Sequence, residues 1–235
     1  MDAARADLLD AAARNNAEWC RTVCRAHGDP GTFGPRAWTS ARRTPPYYPD
    51  AVTLSGDAEA RDVLPGIDRT SPGASVKDSF ARLDLAAEGF RLLFEARWIH
   101  RPAGRPAPAP TGDWRPVRTP EELGEWALAW SGGDPDEAGI LRPALLADPA
   151  TTLLAGRGPD GRITGGAVLS DSGTVTGVSN LFSTGGADPS RVWEGALAAV
   201  PAGRPVVGYE AGDDLTAALA AGFEELGPLR VWLDA

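Results

Sequence analysis

Lysine is almost missing from this chain: of 23 basic residues only Lys77 is not an arginine. Histidine, cysteine and methionine are nearly as scarce, at two, two and one. The shortage of Cys and His excludes a thiolate or imidazole metal centre, because no cluster of either completes a ligand set. Cys20 and Cys24 are four apart on a predicted helix, which puts them on one face but in poor geometry for a disulfide, so they read as buried thiols. Positive charge is also in deficit, with a net charge of −9, and an acidic chain repels phosphate backbones; nucleic acid is not an expected partner. No stretch approaches the ~18 to 20 apolar residues of a membrane helix. The first residues, Met1-Asp-Ala-Ala-Arg-Ala-Asp7, carry acids where a signal peptide has basic residues, so the expected location is cytoplasmic. Partners expected are therefore small molecules, with the chain a monomer or a homodimer.

What is present is core-forming material. Hydrophobic residues make up 43% of 235 residues, enough for one large domain or two small ones. Four prolines fall within residues 102–112, Pro-Ala-Gly-Arg-Pro-Ala-Pro-Ala-Pro-Thr-Gly, which reads as an extended spacer. The expected division is 1–101, the linker 102–112, and 113–235. The first part opens with a helix over residues 3–27, where Leu9, Ala12, Asn16, Trp19, Cys20, Val23 and Cys24 share a stripe, stopped by Gly28 and Pro30. Strands are predicted at 37–40, 51–54, 74–80 and 91–99, with helices at 58–64 and 83–89. In the second part, Thr119-Pro120-Glu121-Glu122 predicts a helix start at 120, running to Trp130, and a short helix follows at 140–147. Pro159-Asp160-Gly161 turns a hairpin of 151–157 and 163–170.

The last sixty residues have a distinct order. Thr174–Phe182 reads as a strand, Ser183-Thr-Gly-Gly-Ala-Asp188 as a glycine-rich turn, and a helix opens at Pro189. A strand over 205–210, a helix over 213–221 capped by Asp213, and a strand over 224–233 complete it. Ala86-Ala-Glu-Gly-Phe90 followed by Trp98 echoes Ala220-Ala-Gly-Phe223 followed by Trp232, each a helix ending in Gly-Phe before a Trp-bearing strand.

This strand, loop, helix, strand, helix, strand order resembles the acyl-CoA-binding half of the GNAT (general N-acetyltransferase) superfamily, over residues 114–235. With the echo in the first part, the resemblance implies an α/β fold with a GNAT-like mixed central sheet flanked by helices, in tandem units, one truncated and one complete. It implies acetyl-CoA or another acyl-CoA as co-substrate and a small amine as acceptor. By position, Asn180, Leu181 and Phe182 would line the pantetheine arm, and Gly185, Gly186, Ala187 and Ser190 would hold the diphosphate, with Arg191 as the cation. The sequence departs from the family pattern at the loop, where the expected Arg or Gln is absent and Asp188-Pro189 is a good N-cap pair. No tyrosine precedes Gly222-Phe223, where the family carries its acid. Glu210 as base and Tyr209 as acid, at the end of the fifth strand, are the candidate catalytic pair, with an exposed strand end as the structural alternative. Two functional readings stand: an N-acyltransferase with a degenerate cofactor loop, and a non-catalytic GNAT-like module that binds a ligand or partner. Among the remaining aromatics, the eight tryptophans read as core or, as the sharper alternative, an aromatic-lined cleft.

Overall fold

The computed structural model describes residues 3–186 and 188–234. The chain divides into two compact units: Met1–Trp98 together with Leu226–Ala235, and Ile99–Glu225. The last strand is thus counted with the N-terminal residues, and the Pro-rich stretch lies inside the second unit.

The first unit begins with α1 (Ala3–Ala26), whose buried side includes Leu9, Ala12, Trp19, Cys20, Val23 and Cys24, as the stripe predicts. The amide on that side is Asn15, which is buried, while Asn16 accepts a hydrogen bond from the buried Lys77 Nζ at 2.9 Å. Both cysteines are free and buried. Short strands β1 (Thr32–Phe33), β2 (Ala37–Thr39), β3 (Ala51–Thr53) and β4 (Ser75–Asp78) follow, with α2 (Ala60–Val63) between the last two. β1–β2 and β2–β3 are antiparallel, β3–β4 is parallel, and β4 pairs antiparallel with the final strand, β11 (Glu224–Asp234). With β5 (Phe90–Arg101) the order in this unit is β1-β2-β3-β4-β11-β5.

The helix expected at 83–89 is only a single 3-10 turn, Ala86–Glu88. Asp84 Oδ1 accepts the Ala86 N–H at 3.0 Å, and Gly89 takes φ +88°, so local side-chain bonding and a left-handed stop leave no room for α-turns. The two Gly-Phe segments nevertheless agree in conformation: Gly222 takes φ +91°, and Phe90 and Phe223 are both buried, the first opening β5 and the second just ahead of β11.

In the second unit, β6 (Asp113–Pro116), β7 (Thr151–Arg157), β8 (Ile163–Asp171) and β9 (Thr176–Ser183) pair antiparallel, and β10 (Val206–Glu210) joins β9 in parallel, so this sheet is mixed. Helix α3 (Pro120–Trp130) starts where the sequence places it, with Thr119 Oγ1 accepting the Glu122 N–H and the Glu122 carboxylate accepting the Thr119 N–H. A helical turn, α4 (Pro135–Ala138), capped by Asp134, was not expected. The predicted helix at 140–147 is a 3-10 segment, Pro143–Ala147, because Arg142 before the proline is extended.

Alternation along β8 sets the two faces. Gly165 and Ala167 face α5 (Pro189–Ala198), and Gly166 faces α3, where a Cβ would meet the Phe182 ring at 2.4 Å and Trp126 Nε1 at 2.5 Å. Trp126 donates to the Leu154 carbonyl at 2.7 Å and meets Phe182 edge to face at 4.9 Å. On the other face Trp193, Ala196 and Leu197 of α5 pack with Leu154, Ala167, Leu169, Val178 and Phe223. The Trp114 indole lies where side chains at Gly156 and Gly195 would stand, so those glycines are set by close packing. Helix α6 (Gly212–Ala220) has Ala211, not Asp213, as its N-cap; the helix begins one residue early and Asp213 sits in the first turn.

Candidate active-site cleft

Two irregularities of β9 shape a cleft in the second unit. The β8–β9 ladder pairs Gly166 with Phe182 and Val168 with Ser179, so Asn180 and Leu181 together stand opposite Ala167. This is a β-bulge, and Asn180 takes the left-handed conformation it needs, at φ +50°. The parallel ladder to β10 covers only Thr176–Val206 and Gly177–Val207. At Gly208 the strands are still tight, since a Cβ there would lie 3.0 Å from the Val178 carbonyl. Past that point β9 bends through its bulge, and a small open cleft of about 90 Å³ lies among Leu181, Phe182, Val192, Trp193, Glu210 and Asp214.

Glu210 ends β10 in this cleft, half-buried. Burial against apolar walls, with the Asp214 carboxylate as a second cause, pushes its pKa up to about 8. Such a group is poised near neutrality and can exchange a proton with a bound molecule. Asp214 was not anticipated; its signal was the acidic pair Asp213-Asp214 opening a helix just after the strand. Tyr209, the other member of the expected pair, does not line the cleft, because neighbouring residues of a strand point to opposite faces. Leu181 and Phe182 do line it, and Asn180 forms the bulge between them and the ladder.

The glycine-rich turn is built differently. Thr184 ties it to β8, donating from N to the Thr164 carbonyl and from Oγ1 to the Ile163 carbonyl, both at 2.9 Å. Gly185 and Gly186 both take positive φ, at +63° and +73°, with open space where their Cβ atoms would stand. Ala187 lies outside the described residues. Asp188 caps α5: its Oδ1 accepts the Ser190 N–H at 2.9 Å. Pro189 has no N–H, and the Arg191 N–H bonds the Asp188 carbonyl at 3.1 Å. The hydrogen bonds from Ser190, with the charge of Arg191 as a smaller cause, hold the Asp188 carboxyl below its ordinary range. The first donors of the helix are therefore already used, and a carboxylate occupies the position where the family pattern puts diphosphate. The turn, with its cap already made, does not fit a diphosphate.

Among the described residues no group of three or more His, Cys, Asp or Glu could hold a metal ion, and no helix is long and apolar enough to cross a membrane.

No family model matches the sequence, and no curated protein matches it. Among solved structures the chain is similar to a GCN5-related N-acetyltransferase from Kribbella flavida, with a TM-score of 0.56 and 14% identity over 95% of each chain. It is also similar to a functionally unknown conserved protein from Staphylococcus epidermidis ATCC 12228, with a TM-score of 0.53 and 12% identity over 70% of this chain and 73% of that one. At such identities the likeness is one of fold: the chain has a GNAT-like fold, a mixed central sheet flanked by helices.

Proposed function

We propose that this chain transfers an acyl group from a thioester of the acyl-CoA type to a small amine, with the chemistry in the cleft between β9 and β10. The observation that carries the reading is the joint position of the bulge at Asn180–Leu181 and the Glu210 carboxyl, whose pKa stands at about 8, on the walls of one cleft. An alkylammonium is not a nucleophile until it loses a proton. A carboxylate of raised basicity at the cleft wall accepts that proton, the neutral amine attacks the thioester carbonyl, and as the C–S bond breaks the departing thiolate takes up the proton that the new amide nitrogen loses. Backbone N–H groups near Phe182 would polarise that carbonyl, and Leu181, Val192 and Trp193 would exclude water around it. Asn180, Leu181 and Phe182 would flank the pantetheine arm, whereas Gly185, Gly186 and Ser190 would contact its phosphates only if Asp188 gave up its cap.

A second reading has its own support. The Asp188 cap favours a GNAT-like module that binds a ligand or partner in the cleft without acyl transfer. Calorimetry of acetyl-CoA on the wild type and on Asp188→Gly separates the two. Micromolar binding by the wild type, followed by turnover with an amine, is the result expected for the enzyme. Binding by the variant alone would mark a decayed cofactor site and favour the non-catalytic module.

A further inference from the structure

A second cavity of the same unit lies at the opposite end of β10 from Glu210. Its volume is about 390 Å³, and Arg101, Arg105 and Arg204 line it with Leu197, Pro201 and Gly203. No aspartate or glutamate is among its lining residues, in a chain whose net charge is −9. Arg101, at the end of β5, is only 6% exposed. Its Nη1 and Nη2 donate to the carbonyls of Arg105 and Pro106 at 3.1 and 2.6 Å, and its buried Nε has no partner among the described residues. Arg105 donates from Nη1 to the Gly222 carbonyl at 2.9 Å, and neither Arg101 nor Arg105 meets a carboxylate among the described residues. Only Arg204 has one, with Nη1 3.2 Å from Asp171.

Carbonyl oxygens satisfy donors but do not neutralise charge, and a buried guanidinium without a counter-charge is costly. The neighbour makes matters worse. Burial, and then repulsion from Arg105, draws the Arg101 pKa down. The C-terminal end of α5 on this cavity supplies partial negative charge, which helps to gather the arginines without balancing them. What completes the cluster is an anion carrying more than one charge and flat oxygen edges for guanidinium forks. A phosphate group has both, at about −1.5 to −2 charges with three acceptor oxygens.

We propose that Arg101, Arg105 and Arg204 form an anion site for the phosphate group of a small molecule, separate from the cleft at Glu210. The site stands whether or not the cleft transfers acyl groups.

The test is titration calorimetry with inorganic phosphate and, in parallel, with glycerol 3-phosphate, at fixed ionic strength, on the wild type, Arg105→Gln, Arg101→Gln and Glu210→Gln. The expected result is saturable binding by the wild type and by Glu210→Gln, weakened tenfold or more in both arginine variants. Tighter binding of the ester than of the free ion would identify a phosphate monoester as the ligand class, and the reverse order would identify the free ion. Arg101 also ties down the residue 105–106 segment, so its variant can fail to fold; Arg105 is exposed and its variant alone decides. Absence of saturable binding to wild type for both probes, or equal affinity in wild type and Arg105→Gln, would overturn the proposal.

Discussion

Asp188 and Glu210 are two carboxylates of the same unit, each within two residues of a helix start, and their surroundings drive them in opposite directions. Asp188 is solvated and accepts the Ser190 N–H, with Arg191 nearby, so its charged form is favoured. Glu210 shares its cleft with Val192 and Trp193, with Asp214 as a neighbour of like charge, so its neutral form is favoured up to about pH 8. Asp188 is stabilised by the helix it caps and blocks the place where an anion would bind. Glu210 is destabilised as an anion by its cleft, which is the property the proposed base requires. Position near a helix start is therefore not enough to assign a carboxylate; what decides is whether backbone N–H groups or apolar side chains surround it.

The comparison breaks most directly at Glu210. Glu210→Gln should lower turnover of any accepted amine by on the order of 10²-fold or more, read by steady-state kinetics, with KM for the thioester little changed. A variant as active as the wild type would remove Glu210 from the chemistry. Asp188→Gly should strengthen acetyl-CoA binding by about tenfold, because it removes the blocking charge and releases the Ser190 N–H, and calorimetry reads this. An unchanged affinity would show that Asp188 does not guard the loop.

The pH profile sharpens the contrast further. The folded-state pKa of Glu210 is raised, so the folded protein binds the extra proton between its ordinary value of 4.5 and about 8. Its contribution to stability is then fully present below the lower value and is lost as pH rises through the higher one. Denaturant titrations should show the wild type losing stability relative to Glu210→Gln across that window, with the gap constant above it. For activity the sign is opposite: the rate should rise toward about pH 8 as the base ionises. Asp214→Asn should move that midpoint to lower pH, since one of the two causes of the shift is removed. The smallest effect is on the cap, where Asp188→Gly should cost only a few tenths of a kcal/mol in thermal or chemical unfolding.

Legibility in the sequence followed locality. The start of α3 was readable because Thr119, Pro120 and Glu122 close their own hydrogen bonds within four residues. The hairpin β7–β8 was readable from its turn, and α5 from Asp188-Pro189. The 83–89 segment misled because Asp84 and Gly89 bond and turn the backbone themselves, a contest that composition does not settle. Within the cleft, Leu181, Phe182 and Glu210 were reached through the order of elements. Asp214 and Trp193 were not, since their relation to Glu210 exists only once α5 and α6 lie against the strands. The Arg101 cluster was equally invisible, because its members come from residues 101, 105 and 204 and read singly as surface charges.

By itself the sequence determined the elements whose signals are short-ranged: caps, turns, the stripe of α1, the glycine stops and the order of the last sixty residues. Its scarcity of Cys and His also left no thiolate or imidazole cluster to hold a metal. Tertiary structure alone decided that Asn180 would open a bulge, that Tyr209 and Glu210 would part company, and that burial would raise one carboxyl while a cap lowered another. The reason is that hydrogen bonds of turns and caps close within a few residues, whereas desolvation and charge proximity depend on which distant surfaces come together.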